Sequence, residues 1–281
     1  VTFATAGGGA DLYAANESSP TAQPSATGAN AVAIGENTVA SGANSFAANE
    51  ATASGVNAAA FGDATTLASG DKSFAAGYDA IASGYASVAM GDNANATGST
   101  ALAIGGGNVT ASAARTIALG YAASASWDDA VAIGRSTVSS GSGSIALAKS
   151  AQATGNNAAA IGVSYASGSN SFAAVITDNT STYGATGANS IAIGRRAKAA
   201  AQSAAMGFSA TADGTYSLAL GTFAKASAFS SIAISAETSG YYTEALQSNS
   251  VAIGTRAKAD IRGKFVFANG AFGDNGDAQL G

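Results

Sequence analysis

Side chains able to do chemistry are few in this chain, and they are dispersed. Of 281 residues, 17 are Asp or Glu, 12 are Lys or Arg, and none is His or Cys. Carboxylate acid–base catalysis needs acids held together around a substrate. The one adjacent acidic pair is Asp128-Asp129, and the sequence offers it no plausible partner. Glu36, Asp63 and Asp92 each follow a glycine in the same local setting, as do Arg135 and Arg195. A slot that accepts either sign is a solvated corner. Without His or Cys there is no imidazole base, no thiolate nucleophile and no Cys/His metal site. Gly105-Gly106-Gly107 lacks the Lys-Ser/Thr that completes a phosphate loop. The sequence therefore assigns no catalytic residue, no metal and no cofactor, and points away from an enzyme.

What positions these scattered groups is a repeat. A large apolar residue, then Ala, then another apolar residue, usually then Gly, recurs 17 times. The clear copies are Val32-Ala33-Ile34-Gly35, Val88-Ala89-Met90-Gly91, Leu102-Ala103-Ile104-Gly105, Ile117-Ala118-Leu119-Gly120, Val131-Ala132-Ile133-Gly134, Ile191-Ala192-Ile193-Gly194, Leu218-Ala219-Leu220-Gly221 and Val251-Ala252-Ile253-Gly254. Of the 16 spacings, nine are 14 residues, three are 13, two are 15 and two are 19. Two heptads would also give 14, but Gly, Asn, Ser and Thr flank every copy and no a/d pattern fills the gaps, so a coiled coil fails. Asn30, Asn44, Asn57, Asn157, Asn170, Asn189 and Asn249 sit two residues before a copy. Asn and Gly accept the positive φ of tight turns. Each coil therefore reads as a turn, a short strand, a Gly turn and a second short strand.

The second strand reads small-variable-small, as in Ala80-Ile81-Ala82, Ala151-Gln152-Ala153 and Ala197-Lys198-Ala199. Alternation along a strand turns the variable residue to water and its small neighbours inward. For the first strand two facings compete. Either the large pair points in, or the middle residue does. That middle residue is Ala in 16 of 17 copies, Val266 being the exception. A solvent-facing position would vary, so the favoured reading puts Ala inside. The large residues then point away from their own chain. A chain with 74 Ala and 36 Gly suits so thin an interior. Seventeen coils at about 4.8 Å each predict a rod of about 80 Å with one apolar stripe, well beyond what a monomer exposes. The chain is thus expected to associate along its length. The shared core would contain Val32, Ile34, Val88, Met90, Leu102, Ile104, Ile117, Leu119, Val131, Ile133, Ile191, Ile193, Leu218, Leu220, Val251 and Ile253.

These residues resemble the head repeats of the trimeric autotransporter adhesins, the YadA-like family, whose consensus runs Asn-Ser-Val-Ala-Ile-Gly. Asn249-Ser250-Val251-Ala252-Ile253-Gly254 matches it throughout, and Asn189-Ser190-Ile191-Ala192-Ile193-Gly194 differs only by Ile for Val. The resemblance extends over residues 28–268 or so. It implies an all-β, left-handed parallel β-roll, a side-by-side homotrimer with the apolar pairs on its axis, and attachment of a bacterial surface to a host or environmental ligand, protein or glycan. Handedness and the number three come from the resemblance alone. The chain divides into a lead-in or cap (1–27), β-roll repeats (28–260) and a last coil with cap or connector (261–281). No neck, stalk or anchor follows the last copy, no run approaches 18 apolar residues, and the chain opens at Val1, so any signal peptide or outer-membrane anchor is expected to lie outside it. The tail, Ile261-Arg262-Gly263-Lys264-Phe265-Val266-Phe267 through Gln279, is similar to a segment of bacteriophage structural and tail-fibre proteins. That implies an alternative, a virion fibre or spike used for receptor binding or spacing.

Two features could bind a ligand. Residues 1–114 carry a net charge of −7, and residues 115–281 carry +2. Lys198, Lys225 and Lys258 share the middle slot of the second strand, so they should align as a column able to meet a polyanion. The column also reads as solubilising charge that blunts edge pairing. Nucleic acid is not expected, because no aromatic residues interleave with the bases. The two 19-residue spacings insert five residues each, around Thr177–Tyr183 and Ser239–Ala245. Solenoid insertions go to surface loops, and these carry Tyr183, Tyr241 and Tyr242. The same tyrosines could instead cover an apolar coil edge. Ice binding needs a regular Thr array, and here Thr is irregular.

Overall fold

The computed structural model describes residues 23–177, 180–236, 240–269 and 279–280. These residues form only short strands and turns. They fall into two compact units, residues 1–136 and 137–281.

Each unit is a parallel β-solenoid with two ladders. In the first unit the motif strands, from Val32–Ile34 to Val131–Ile133, pair like with like. Val88 lies beside Leu102, Ala89 beside Ala103 and Met90 beside Ile104, and the next coil repeats this with Ile117, Ala118 and Leu119. The return strands form the second ladder, where Ile81 pairs with Asn95 and Asn95 with Thr110. The second unit repeats the scheme from Val138–Ser139 to Phe265–Asn269, and Gln279–Leu280 adds an antiparallel strand to the last coil. Both 19-residue coils hold register, with Phe172 beside Ile191 and Ile232 beside Val251. In sequence the extra residues fall between the motif strand and the return strand, after Phe172–Ala174 and before Gly184–Ala185 in one coil, and after Ile232–Ala236 and before Thr243–Ala245 in the other. Of the expected insertion and tail segments, residues 178–179, 237–239 and 270–278 lie outside the described residues, as do 1–22 of the lead-in.

The facing of the motif strand is resolved. Ala33, Ala89, Ala103, Ala132, Ala192, Ala219 and Ala252 have no exposed surface, and Val266 takes the same inward place. The flanking large residues point out, with Ile34 and Ile133 at 38% and Leu220 at 40% exposure. Return strands bury their terminal Ala and leave the variable slot half-buried, because a strand lies on either side. Larger side chains enter the interior where a coil is longer. Val109 sits in a 15-residue coil and Ile176 in a 19-residue one, both fully buried.

The corner before each motif strand explains the rest of the repeat. Asn30, Asn44 and Asn57 adopt φ of 57, 56 and 57°, but Lys72, Ala86, Thr100, Arg115 and Asp129 do so in the same slot. The left-handed region costs a non-glycine residue about 1–2 kcal/mol. It is held by coil-to-coil bonds such as Thr100 N–H to the Tyr85 carbonyl at 2.7 Å. Two residues earlier, a Cβ at Gly84 would run into the Gly98 carbonyl, so glycine is favoured at that rung, whereas other coils carry Ala113, Trp127 and Ala200 in the same slot. The Ser before the motif closes the turn: Ser87, Ser190 and Ser250 hydroxyls donate to carbonyls three residues back at 2.6–2.8 Å.

Candidate binding surfaces

Among the described residues no three His, Cys, Asp or Glu side chains gather as a metal would require. The expectation that Asp128-Asp129 lacks a partner is corrected by the register, which sets Arg115 one coil away. Its Nε and Nη2 donate to the two Asp129 carboxylate oxygens at 2.6 and 2.9 Å, and Asp128 lies 3.7 Å from the guanidinium. The hydrogen bonds from Arg115 and its charge hold the Asp129 carboxyl below the ordinary range. The trio is an exposed ion pair that ties neighbouring coils together. At Asp63 burial pushes the carboxyl up, but hydrogen bonds from the Thr66 and Thr65 hydroxyls outweigh it and leave the pKa lowered.

The basic column is interrupted. Register sets Lys198 beside Thr211, Thr211 beside Lys225, Lys225 beside Glu244 and Glu244 beside Lys258. Lys225 bonds Glu244 at 3.1 Å, and Lys198 reaches Asp213 at 2.9 Å. The ladder thus alternates in sign at Glu244, whose membership follows from the insertion: it occupies the variable slot of Thr243–Ala245.

The insertion tyrosines separate into two kinds. Tyr183 is partly buried and packs against the alanine core. Tyr241 is 50% exposed, with the Arg256 guanidinium 3.9 Å from its ring centroid. Tyr242 meets Phe223 edge to face at 5.6 Å, and Lys225 lies 5.6 Å above it. Phe223 in turn meets Phe208 at 5.2 Å, and Arg195 stacks 4.4 Å over Phe208. Apart from Lys225, which lies in the return strand Ala224–Ala226, Arg195, Phe208, Phe223, Tyr241, Tyr242 and Arg256 belong to turns of successive coils in the second unit, so they form a ladder of rings and cations. Sequence reading missed it. The ladder residues occupy either the first or second place after the glycine, and the insertion breaks the count. In the first unit the same turns carry Glu36, Glu50, Asp63, Asp79 and Asp92, with Tyr78 and Tyr121 more than 60% exposed. A small polar groove beside them is lined by Asp79, Ile81, Asn93, Asn95, Asn108 and Thr110.

The sixteen residues expected between chains all lie on the outward side of the motif strands. Each is half-buried or exposed, and none is enclosed by its own chain. Aromatic residues enrich the same face in the first unit, where Phe46 and Phe61 stack at 5.2 Å and Phe74 follows at 5.8 Å.

No curated protein matches the chain. The YadA head domain repeat matches residues 26–48, 68–94, 82–108, 111–134, 128–147, 185–204, 200–224, 212–234 and 239–260, in both units. Together these stretches take in more than half of the sequence, and each holds the outward apolar pair, the inward Ala and the turn between them. The chain belongs to the YadA head domain repeat family.

Proposed function

We propose that this chain is the head segment of a homotrimeric extracellular adhesion fibre, attaching a bacterial surface to a host or environmental ligand without catalysing a reaction. The observation that carries the proposal is the outward apolar row of each unit. Residues such as Ile104 and Leu220 remain 36–40% exposed over a core of alanine. A half-exposed Ile or Leu still has on the order of 1 kcal/mol to gain from full burial. Repeated coil after coil, that gain favours side-by-side chains, and stability then belongs to the oligomer. YadA-type heads are surface-exposed adhesins, which supports the same location and role. In this reading residues 28–260 are the repeats, flanked by a lead-in and a cap or connector.

Native mass or sedimentation measurement tests the assembly and should return about three times 26.7 kDa. Ile104→Asp combined with Ile193→Asp should shift the population to monomer, because buried carboxylates lack partners. A stable wild-type monomer would overturn the trimer. Attachment is tested separately, by coating beads with the intact chain and counting those retained on cell or matrix surfaces. Retention no higher than for uncoated beads would overturn the adhesive role.

A further inference from the structure

The polar groove of the first unit contains a group that the solenoid leaves unsatisfied. Three successive coils build it. The turn residues Asp79, Asn93 and Asn108 line one side, and the return-strand residues Ile81, Asn95 and Thr110 line the other. Asn95 Oδ1 is shut from solvent and has no hydrogen-bond partner; the other such atoms among the described residues are serine hydroxyls. An orphaned buried amide oxygen is costly, and each one in a native structure calls for a reason. The ladder supplies none, because Val39, Leu67 and Ile81 take the same slot in other coils of the unit. The neighbours of Asn95 also have capacity to spare. Asp79 bonds Asp63 through its backbone N–H, at 3.3 Å, and its own carboxylate is unclaimed among the described residues. Asn93 Nδ2 donates to Asp92 at 2.8 Å and the Thr110 hydroxyl to the Asn108 carbonyl at 3.2 Å, which leaves the Asn93 and Thr110 oxygens to accept. Between Lys72 and Arg115 the sequence has no basic residue to meet these acceptors.

We propose that this groove binds a neutral, hydroxyl-rich glycan laid along the coils. The proposal deepens the attachment reading and rests on it, by naming the class of ligand and its place. An acceptor-rich surface wants donors, and sugar hydroxyls supply them without a charge to desolvate. Rotation about the broad terminal torsion of Asn95 can bring its orphaned oxygen to such a donor. Rungs about 4.8 Å apart repeat the acceptors at close to the length of one sugar ring, so successive rings can meet successive coils. At about 130 Å³ the groove is smaller than the roughly 300 Å³ of an enclosed small-molecule site, so the ligand enters edge first and keeps its faces outside. Aromatic rings stand at both ends to meet those faces. Tyr78 adjoins Asp79 and is 64% exposed; Tyr121, 61% exposed, lies across Gly107, where a Cβ would collide with its ring. Aromatic faces carry partial negative charge and attract the C–H groups of a sugar. A sulfated or uronic-acid chain would be repelled by Asp79 and Asp92. A divalent cation would find a single carboxylate among the lining residues, fewer than such an ion usually takes.

The test uses the intact chain and a panel of immobilised neutral oligosaccharides: β-glucan, galactan, mannan and N-acetylglucosamine oligomers. Wild-type protein should be retained by at least one of them, with little change on adding salt, because no ion pair is formed. Asn95→Val should weaken that retention roughly tenfold. Its denaturation midpoint should hold or rise, since Val39 already occupies the slot and the orphaned oxygen is gone. Asp79→Ala, in a turn slot where Ala122 holds φ of 53°, should weaken retention to a similar degree, and Tyr78→Ala several-fold. Asn37→Ala, in the same turn slot outside the groove, should leave retention unchanged. Should Asp79→Ala unfold, Asp79→Asn serves in its place and should still weaken retention. Retention unaffected by Asn95→Val would overturn the groove as the site. Equal loss from Asn37→Ala would overturn it too, by spreading the effect over every turn. Loss of retention in EDTA would overturn direct contact in favour of a divalent cation. Absence of retention on every glycan, with wild-type beads still held on cells, would overturn the glycan while leaving attachment standing.

Discussion

At the Gly turns the first unit presents Glu36, Glu50, Asp63, Asp79 and Asp92, whereas the second presents Arg195, Arg196, Phe208, Phe223, Tyr242 and Arg256. The backbone beneath is the same. Asn37 and Asn93 have φ of 57 and 55° in the first unit, and Arg196 and Arg256 have 59 and 60° in the second. The interior is the same as well, alanine against alanine in both. The contrast separates two kinds of position. Where a side chain faces the core or the next coil's carbonyl, volume dictates the residue. At the turn a side chain meets solvent and the turns of neighbouring coils rather than the alanine interior, so charge and aromaticity are free to differ between the units. Recognition is expected where that freedom lies.

If the interiors are equivalent, overfilling them should hurt both units alike. Ala89→Leu and Ala219→Leu, each at a site with no exposed surface, should each cost about 3 kcal/mol or more, read from denaturation midpoints. A tolerated leucine in one unit alone would break the comparison. Glycines sharpen it at the next level. Gly84→Ala drives a Cβ into the Gly98 carbonyl and should cost about 2–3 kcal/mol. Gly240, at φ +88° with open space around its missing Cβ, should cost only about 1 kcal/mol as Ala, for the backbone alone.

The smallest effect is electrostatic. The Asp129 carboxyl is held low in the folded state, so its contribution is fully present above the unfolded Asp value of about 3.9. It is lost as pH falls through the folded value. Asp260 in the second unit behaves likewise, through its own backbone N–H and Lys264. Asp129→Asn and Asp260→Asn should each flatten slightly the fall in melting temperature below about pH 4. A steeper acid limb in either variant would reverse the sign and refute the ion-pair account of that site. Both groups are exposed, and the effect should shrink with salt.

The sequence made some of this legible. The constancy of the middle Ala announced an inward position, and Asn and Gly announced the turns. The left-handed slot was only partly visible, because Lys72, Ala86 and Thr100 adopt it under coil-to-coil hydrogen bonds that no single-residue preference reveals. Arg115 and Asp129 lie 14 residues apart, and their meeting follows only once the register is known. Glu244 was hidden in the basic column by the five inserted residues that shift its number but not its rung. The ring ladder stayed hidden for the same reason, since Phe208 and Phe223 take different places in their turns and meet only through stacking.

The like-with-like register carries a kinetic consequence. Within each unit a strand finds its partner 13 to 19 residues along the chain, however many coils the unit contains. Loop closure over so short a span is cheap, and it does not become dearer as coils are added. Contact order therefore falls relative to length as such a molecule grows, the reverse of what holds for most β-proteins. A nucleus of two or three coils can form anywhere and template its neighbours in both directions, so lengthening by duplication leaves the folding search of every other coil as it was.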